Sequence, residues 1–182
     1  MKQKLILSII LSVCSLQVLI AQSDYDPSLK GTPLKDRIYL GGSFGAAISN
    51  EYTYVDLSPT LGFQVTSRFS AGPGFTFQYY NYKIYNYSSF IYGPKAFARY
   101  QLFNFFFAHA EFNDLFLKYR QTDNLGNVTF VNKNVPGLLL GGGFTPSIGK
   151  SRMYIMILYD VLESPYTPYA NPVIRIGFDL GL

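Results

Sequence analysis

One glycine-containing stretch of the sequence has the residue types of a phosphate-binding loop. It reads Gly143-Phe-Thr-Pro-Ser-Ile-Gly149-Lys150-Ser151. In a nucleotide-binding loop four residues separate the two glycines, and the lysine opens a helix whose N-terminal amides hold the phosphates. Here five residues separate the glycines, and the apolar run that follows, 152–159, is typical of a strand. We therefore interpret the stretch as a tight turn between two strands rather than as a nucleotide site.

The chain has one histidine, His109, and a histidine can act as the base in nucleophilic chemistry. An enzyme that modifies membrane lipid in this way would need its histidine near the outer rim of a membrane barrel. His109 instead lies a few residues after a predicted turn at Phe103-Asn104, towards the opposite end. We therefore expect His109 to pack and form hydrogen bonds inside the protein.

Charged residues that share the polar faces of predicted strands form a third constellation. They are Asp56, Lys95, Arg99, Glu111, Arg175 and Asp179, with Asp160 as a further candidate. Opposite charges in a confined, low-dielectric interior are tolerated only when they are paired and hydrogen-bonded. Lys95, Arg99 and Glu111 lie on neighbouring segments and could pair, while Arg175 and Asp179 share one face of the last segment. Our hypothesis is a plug of salt bridges, and the alternative is a narrow polar channel that selects ions by charge.

The N-terminus has the order of a cleaved export signal. Two lysines within the first four residues precede an apolar, uncharged run at 5–20, and Ala21 then offers a small residue to a signal peptidase. An uncleaved membrane anchor is the alternative, but the run is on the short side of the roughly 20 residues of a spanning helix. We predict a signal peptide at 1–21, a polar stretch at 22–35 and one β-barrel domain at 36–182.

The composition narrows the class of protein. Of 182 residues, 18% are aromatic and only 14% are charged, so the chain is too apolar for disorder and too sparsely charged for a typical soluble enzyme. The net charge of +4 is dispersed, and we expect no nucleic-acid partner. The only cysteine, Cys14, lies in the predicted signal, which excludes disulfides and thiolate metal sites from the mature chain.

Eight segments after residue 35 alternate apolar and polar side chains with a period of two, which indicates strands. They are 38–49, 54–65, 69–80, 92–102, 106–113, 137–145, 153–161 and 174–182. Most match the roughly 9–11 residues that a tilted strand needs to cross a bilayer. Leu139 breaks the pattern of the sixth segment, and the seventh is apolar on both faces except at Asp160.

The links between these segments alternate in length. Short turns are expected near Thr66-Ser67, Phe103-Asn104 and Gly149-Lys150, and longer polar loops at 81–88, 118–134 and 162–171. The first turn of the looped end, around Asn50-Glu51, is the exception in being short. This pattern predicts an all-β fold, an eight-stranded antiparallel up-and-down barrel with periplasmic turns at one end and extracellular loops at the other. An extracellular partner would be expected to bind at the loops 81–88 and 118–134.

The glycines indicate which face points inward. Eleven of them fall on the polar face: Gly41, Gly45, Gly62, Gly72, Gly74, Gly93, Gly137, Gly141, Gly143, Gly177 and Gly181. Small residues belong inside an eight-stranded barrel, which has room for little more than side chains. A soluble barrel of the lipocalin kind would have to expose rows of Phe, Leu and Ile or hold charges in a dry pocket, and both are costly. We therefore predict a transmembrane barrel, because closure satisfies the backbone hydrogen bonds in lipid.

The signal, the polar stretch, the eight alternating segments and the apolar last segment together resemble the small outer-membrane β-barrel family, the OmpX/OmpA-barrel type, over roughly 36–182. The resemblance implies a Gram-negative outer-membrane location, contact with outer-membrane lipid, and the outer-membrane assembly machinery as a partner during biogenesis. Such barrels usually end in an aromatic residue, whereas Phe178 is followed here by Asp-Leu-Gly-Leu182.

The segment 157–175 is also similar to an uncharacterised group of secreted barrels, some of them labelled α-ketoglutarate decarboxylase. The chain has no thiamine-binding motif and no metal triad to support that activity.

Three functional hypotheses follow from the sequence. The leading one is a non-enzymatic barrel with a structural or surface-interaction role and a lumen closed by salt bridges. The second is a small pore or transport-accessory barrel. The third is an outer-membrane lipid-modifying enzyme, which would depend on His109, or a soluble lipocalin-like binder. We assign no catalytic, cofactor-binding or metal-ligating residues, and we expect no cofactor.

Overall fold

A computed structural model of the protein describes residues 29, 31–48, 50–83, 87–103, 105–122, 128–148, 151–169 and 171–181. The chain divides into two compact units, Met1–Thr32 and Pro33–Leu182. The predicted signal peptide at 1–21, most of the polar stretch at 22–35 and the predicted turn at Gly149-Lys150 lie outside the described residues. No helix of the described part of the chain is long and apolar enough to cross a membrane.

The second unit is a closed antiparallel β-sheet. A single 3₁₀ turn, Leu34–Arg37, leads into the first strand. The strands are β1 (Ile38–Ile48), β2 (Tyr52–Gln64), β3 (Phe69–Tyr82), β4 (Tyr87–Gln101), β5 (Phe106–Thr122), β6 (Val128–Phe144), β7 (Ser147–Ile148), β8 (Ser151–Asp160) and β9 (Val173–Gly181). β7 is a two-residue strand that pairs only with β8 among the described strands.

Two ladders close the sheet: β1 pairs with β9 and β6 pairs with β8. Eight strands therefore surround the lumen, each antiparallel to its neighbours, and the predicted eight-stranded barrel is confirmed. We call the end with the β3–β4, β5–β6 and β8–β9 connections the upper end. The lower end is the one at which β1 begins and β9 finishes.

Side chains alternate strictly between the two faces of the sheet, as the period of two requires. The last strand, β9, follows the pattern buried–exposed from Val173 onward. Ile176 on the outer face is 54% exposed, whereas Arg175, next to it in the chain, is 1% exposed. The distribution of side chains is therefore the reverse of that in a lipocalin-like barrel: apolar side chains face outward, and the charged ones face inward.

The interior also contains an apolar cluster, of which the alternation placed Phe107 inward but did not reveal most of the other members. Its members are Ile91, Phe107, Leu115, Leu117, Val135, Leu139, Tyr154, Met156, Leu158, Tyr169 and Val173. Leu139, which breaks the predicted pattern of its segment, is fully buried inside the barrel. β8, apolar on both faces, directs Tyr154, Met156 and Leu158 inward. A barrel of eight strands is narrow enough for such side chains to fill it.

Two of the predicted upper loops are instead continuous strand pairing. β5 runs to Thr122 and β6 begins at Val128, so most of the predicted loop 118–134 is a β-hairpin. In the same way, β3 and β4 pair as far as Tyr82 and Tyr87, within the predicted loop 81–88. The prediction was wrong here because polar and apolar residues are mixed on both faces, which removes the period-two signal while leaving the backbone ladder intact. The third predicted loop, 162–171, lies between β8 and β9 and is confirmed for its described residues.

The upper part of the β5–β6 hairpin stands apart from the barrel. The β4–β5 ladder ends at Tyr92 opposite Phe116, and the β6–β8 ladder begins only at Leu139 opposite Asp160. Above these levels, the described residues of the hairpin pair only with each other. We call residues 118–122 and 128–132 the protruding hairpin.

The inward-facing glycines allow neighbouring strands to approach closely. Alanine substitutions at two of them, Gly93 and Gly45, test this packing. A methyl group at Gly93 would overlap the carbonyl oxygen of Asp114, whereas the nearest heavy atom to a methyl group at Gly45 would be 3.6 Å away. We expect Gly93→Ala to lower the free energy of unfolding by about 1–3 kcal/mol because a backbone must shift. Gly45→Ala should change it by less than about 0.5 kcal/mol. Urea unfolding of protein refolded in lipid vesicles measures both, and equal losses would contradict this packing.

Candidate functional site

The charged residues singled out from the sequence all lie on inward positions of their strands. Asp56 comes from β2, Lys95 and Arg99 from β4, Glu111 from β5, and Arg175 and Asp179 from β9. Five of the six are buried, and the side chain of Arg99 is 12% exposed. Alternation alone places them inside: on β2, β4 and β9 they share a face with inward glycines, and on β5 Glu111 shares a face with the buried Phe107 and His109.

The centre of the lumen holds four of these charges in contact. Lys95 Nζ lies 3.0 Å from Glu111 Oε2, and Arg175 Nη1 donates a hydrogen bond of 2.9 Å to Glu111 Oε1. Arg175 Nη2 also lies 3.7 Å from Asp56 Oδ2. Glu111 therefore bridges two cations, and Arg175 bridges two carboxylates. We call Asp56, Lys95, Glu111 and Arg175 the central cluster.

Asp56 is fully buried, and neutral side chains form hydrogen bonds with its carboxylate. Its carboxylate accepts hydrogen bonds from Gln78 Nε2 at 2.7 Å, Ser58 Oγ at 2.8 Å and the Tyr54 hydroxyl at 3.0 Å. These donors replace the water that a buried carboxylate loses. The sequence analysis did not assign them to the site, although the alternation puts all three on the same inward face as Asp56.

Arg99 belongs to a separate, lower pair. Its Nη1 lies 2.6 Å from Asp179 Oδ2, and its guanidinium lies over the rings of Tyr154 at 4.3 Å and Phe107 at 4.6 Å. Arg99 thus pairs with Asp179 across the lumen, and Glu111 pairs with Lys95 and Arg175 instead. The predicted contact of Arg99 with Glu111 is not the one that forms, because Arg99 lies four residues below Lys95 on the same strand.

His109 lies in the lower half of the lumen, beside Arg99 in the β4–β5 register. It is 5% exposed, and its ring stacks on Phe97 with 5.8 Å between centroids. Its Nε2 is 3.6 Å from Glu111 Oε2, slightly beyond hydrogen-bond distance. The expected packing is present, whereas the expected hydrogen bond to a neighbouring side chain is not made. In the described part of the chain, no cluster of three His, Cys, Asp or Glu is placed to hold a metal ion.

The connection between β8 and β9 folds back over the upper opening of the lumen. Tyr169 from this connection is 7% exposed, and its hydroxyl accepts a hydrogen bond of 2.9 Å from Asn113 Nδ2. Its ring lies 5.7 Å from the guanidinium of Arg175, and the Tyr80 hydroxyl donates to the carbonyl of the adjacent Pro168. Burial raises the pKa of the Tyr169 phenol, so the group stays neutral. Tyr169 therefore caps the central cluster from above.

Asp160 anchors this connection instead of joining the ion pairs. Its carboxylate accepts hydrogen bonds from Thr167 Oγ1 at 2.8 Å and from the Leu162 amide at 3.2 Å. Its own amide donates to Asn171 Oδ1 at 2.8 Å. Asp160 was a further candidate for the charge network, and the structure places it inside the barrel with a structural role in the loop.

The stretch that resembles a phosphate-binding loop contains no helix among its described residues. β6 ends at Phe144, and β8 begins at Ser151, where a nucleotide site would require a helix N-terminus. Its interpretation as a connection between strands is confirmed for these residues.

No protein-family model and no curated protein matches the sequence. Among solved structures, the chain is similar to the N-terminal β-barrel domain of Pseudomonas aeruginosa OprF, with 7% sequence identity and a TM-score of 0.40 over 79% of this chain and 95% of that one. It is also similar to Ail, the attachment invasion locus protein of Yersinia pestis, crystallised with the heparin analogue sucrose octasulfate. That match has 11% identity and a TM-score of 0.42, and it covers 78% of this chain and 91% of Ail. Both are eight-stranded outer-membrane barrels of the OmpA/OmpX type.

The central cluster makes a specific stability prediction. Glu111→Gln leaves Lys95 and Arg175 with Asp56 as the remaining carboxylate, and we expect a loss of about 3–5 kcal/mol in the free energy of unfolding. Glu51→Gln, at the exposed β1–β2 turn, is the matched control and should cost less than about 0.5 kcal/mol.

The double variant Lys95→Met, Glu111→Gln should recover part of this loss, because no buried ammonium then lacks its carboxylate. Urea unfolding in vesicles measures all three variants. If Glu111→Gln were as stable as Glu51→Gln, the ion pairs would not hold the interior together.

Proposed function

We propose that the protein is an integral β-barrel of a Gram-negative outer membrane, with a closed lumen and a structural or surface-interaction role. One observation carries the proposal: the barrel is apolar outside, while its buried charges are paired inside. Burying such charges is tolerable only with partners, and exposing so many large apolar side chains is tolerable only in lipid.

Lipid is the solvent that fits the outer face. Large apolar side chains that are about half exposed or more occur on strands around the barrel, among them Leu40, Phe44, Leu57, Phe77, Phe112, Ile155, Ile174 and Phe178. The closed ladder also leaves no sheet edge along the barrel wall, as a membrane-spanning sheet requires. Outer-membrane lipid and, during biogenesis, the assembly machinery are therefore the partners we propose.

Aromatic side chains mark two levels on the outer face that support this placement. At the lower end, Phe105 and Phe106 pack against Phe144 with centroids 6.0 and 5.4 Å apart. At the upper level, Tyr92 lies 5.9 Å from Phe116. Phe106 and Phe116 are ten positions apart on β5, which for a tilted strand spans roughly the 25 Å apolar band of an outer-membrane barrel.

The orientation follows from the ends of the barrel. In outer-membrane barrels the short turns face the periplasm and the longer elements face outward. The lower end carries the short β2–β3 and β4–β5 turns, and the upper end carries the protruding hairpin and the β8–β9 connection. The protruding hairpin is thus the element we propose for contact with molecules outside the cell, since its edges pair with no other described strand.

The proposal includes no catalytic reaction. His109 is enclosed with Phe97 and Phe107 in the lower half of the lumen, away from the upper rim where a lipid substrate of the outer leaflet would approach. The carboxylates of the central cluster are held by Lys95 and Arg175, an arrangement suited to closing the lumen. The small pore remains the second candidate and is separated from the first by conductance.

We expect the purified protein to show no conductance steps above background in a planar bilayer. The lumen is blocked at three levels, by Tyr169 with Asn113, by the central cluster, and by Arg99 packed against Tyr154 and Phe107. An open porin inserted in the same bilayer is the positive control. Reproducible steps from the unaltered protein would contradict a closed lumen and favour the pore.

The orientation is tested by labelling single cysteines in intact cells. Asn132→Cys lies on an exposed position of the protruding hairpin, and Ser67→Cys lies in the β2–β3 turn. A membrane-impermeant maleimide should label Asn132→Cys in intact cells and Ser67→Cys only after the outer membrane is opened.

Two controls keep this test clear. Both variants must remain in the outer-membrane fraction and show a boiling-dependent shift on a gel, the sign of a closed membrane barrel. Recovery of unshifted protein in the soluble periplasm would overturn the membrane placement, and the opposite labelling pattern would reverse the orientation.

A further inference from the structure

The turn between β4 and β5, at the lower end of the barrel, forms its hydrogen bonds within itself. The amides of Leu102 and Phe103 both donate to the carbonyl of Phe106, at 2.9 and 3.2 Å, and the Phe106 amide donates back to the Phe103 carbonyl at 3.3 Å. Gln101 Nε2 donates to the same Phe103 carbonyl at 2.7 Å. These backbone groups need no hydrogen bond from water, which is the condition for placing a backbone in a less polar medium.

The side chains of the same turn are large, apolar and exposed. The exposed fraction is 73% for Phe103 and close to one half for Leu102, Phe105 and Phe106. Four such side chains on one short turn form a contiguous apolar surface, and such a surface indicates contact with something other than water.

The neighbouring β2–β3 turn shows that the backbone does not require these apolar side chains. There the amides at the two corresponding positions donate to the carbonyl of Phe69 in the same way. Thr66 and Arg68 occupy the positions at which the β4–β5 turn has Phe103 and Phe105. The same turn can thus be built with polar side chains, so the phenylalanines are explained by a contact outside the turn.

We propose that the β4–β5 turn inserts into the periplasmic leaflet and anchors the lower end of the barrel on that side. This lipid contact rests on the membrane placement proposed above and adds a specific element to it. The interfacial zone of the leaflet is the medium that fits the turn, because aromatic rings are favoured at that depth and the turn buries no charge there. The polar β2–β3 turn stays in water.

The position of the apolar surface favours lipid over a periplasmic protein as its partner. Phe105 and Phe106 both pack against Phe144, with ring centroids 6.0 and 5.4 Å apart. Phe144 ends β6 and is 39% exposed on the outer face. The surface of the turn therefore continues the wall that we place in lipid, and Phe103 extends it past Gln101, the last residue of β4.

The experiment uses single tryptophans as depth probes, since the chain itself has none. Phe103→Trp reports on the β4–β5 turn, and Thr66→Trp is the matched control at the corresponding position of the β2–β3 turn. Phe44→Trp, on the outer face near the middle of β1, reports on the wall. Each variant is refolded into phosphatidylcholine vesicles whose acyl chains are unbrominated, brominated near the glycerol end, or brominated near the methyl end. Bromine quenches a tryptophan that it touches, so the loss of fluorescence measures depth.

We expect bromine near the glycerol end to remove at least about half of the fluorescence of Phe103→Trp and less than about one tenth of that of Thr66→Trp. Bromine near the methyl end should quench Phe44→Trp the most. Tryptophan itself favours the interface, which makes Thr66→Trp a strict control.

Two results would contradict the proposal, and they differ in what else they affect. If Phe44→Trp is quenched but Phe103→Trp is quenched no more than Thr66→Trp, the anchor is overturned and the membrane barrel stands. If Phe44→Trp is not quenched by either lipid, the membrane placement is overturned and the anchor with it. A boiling-dependent gel shift in all three variants establishes that the barrels are folded.

Discussion

The ladders of β1 with β9 and of β6 with β8 join the two edges of the sheet, and the joined sheet encloses a lumen with room for little more than side chains. The environment of an inward side chain therefore depends on the side chains that lie across the lumen. Glu111 lies between Lys95 and Arg175, and Asp56 lies among Ser58, Gln78 and Tyr54. Closure of the sheet therefore causes the pairing of its charges.

The same closure explains why apolar and charged side chains share the interior. The central cluster lies between Tyr169 above and Arg99 with its two aromatic neighbours below, so that low-dielectric surroundings strengthen its ion pairs. The outer face carries mainly apolar side chains over the middle of the strands, and the polar pair Asp114–Asn134 lies near the upper level, beside Phe116. The alternation of inward and outward residues along each strand thus separates the interior, which holds the charged side chains, from the apolar outer face.

The sequence was sufficient to predict the strands and their faces, but it did not identify the contacts across the lumen. Asp56 and Arg175 could be placed inward because alternation is a local property of one strand. The Arg99–Asp179 pair joins residues 80 positions apart on strands that are not neighbours, so no local pattern or hairpin register indicates it. Tyr169 was missed for a related reason: it lies in a loop, where no periodicity tells inward from outward. The protruding hairpin was missed because polar and apolar residues are mixed on both its faces.

The β4–β5 ladder ends at Tyr92 and Phe116. The strands differ below and above this level in how well they tolerate inserted residues. Below it, each strand is paired on both sides and its register is tied to the shear of the barrel, so an inserted residue would disturb the neighbouring strands. Above it, β5 and β6 pair only with each other among the described residues, so a matched pair of residues can be added or removed without altering the wall. The hairpin is consequently the part of the chain whose sequence evolution can vary most freely, and a natural place for carrying a foreign peptide epitope.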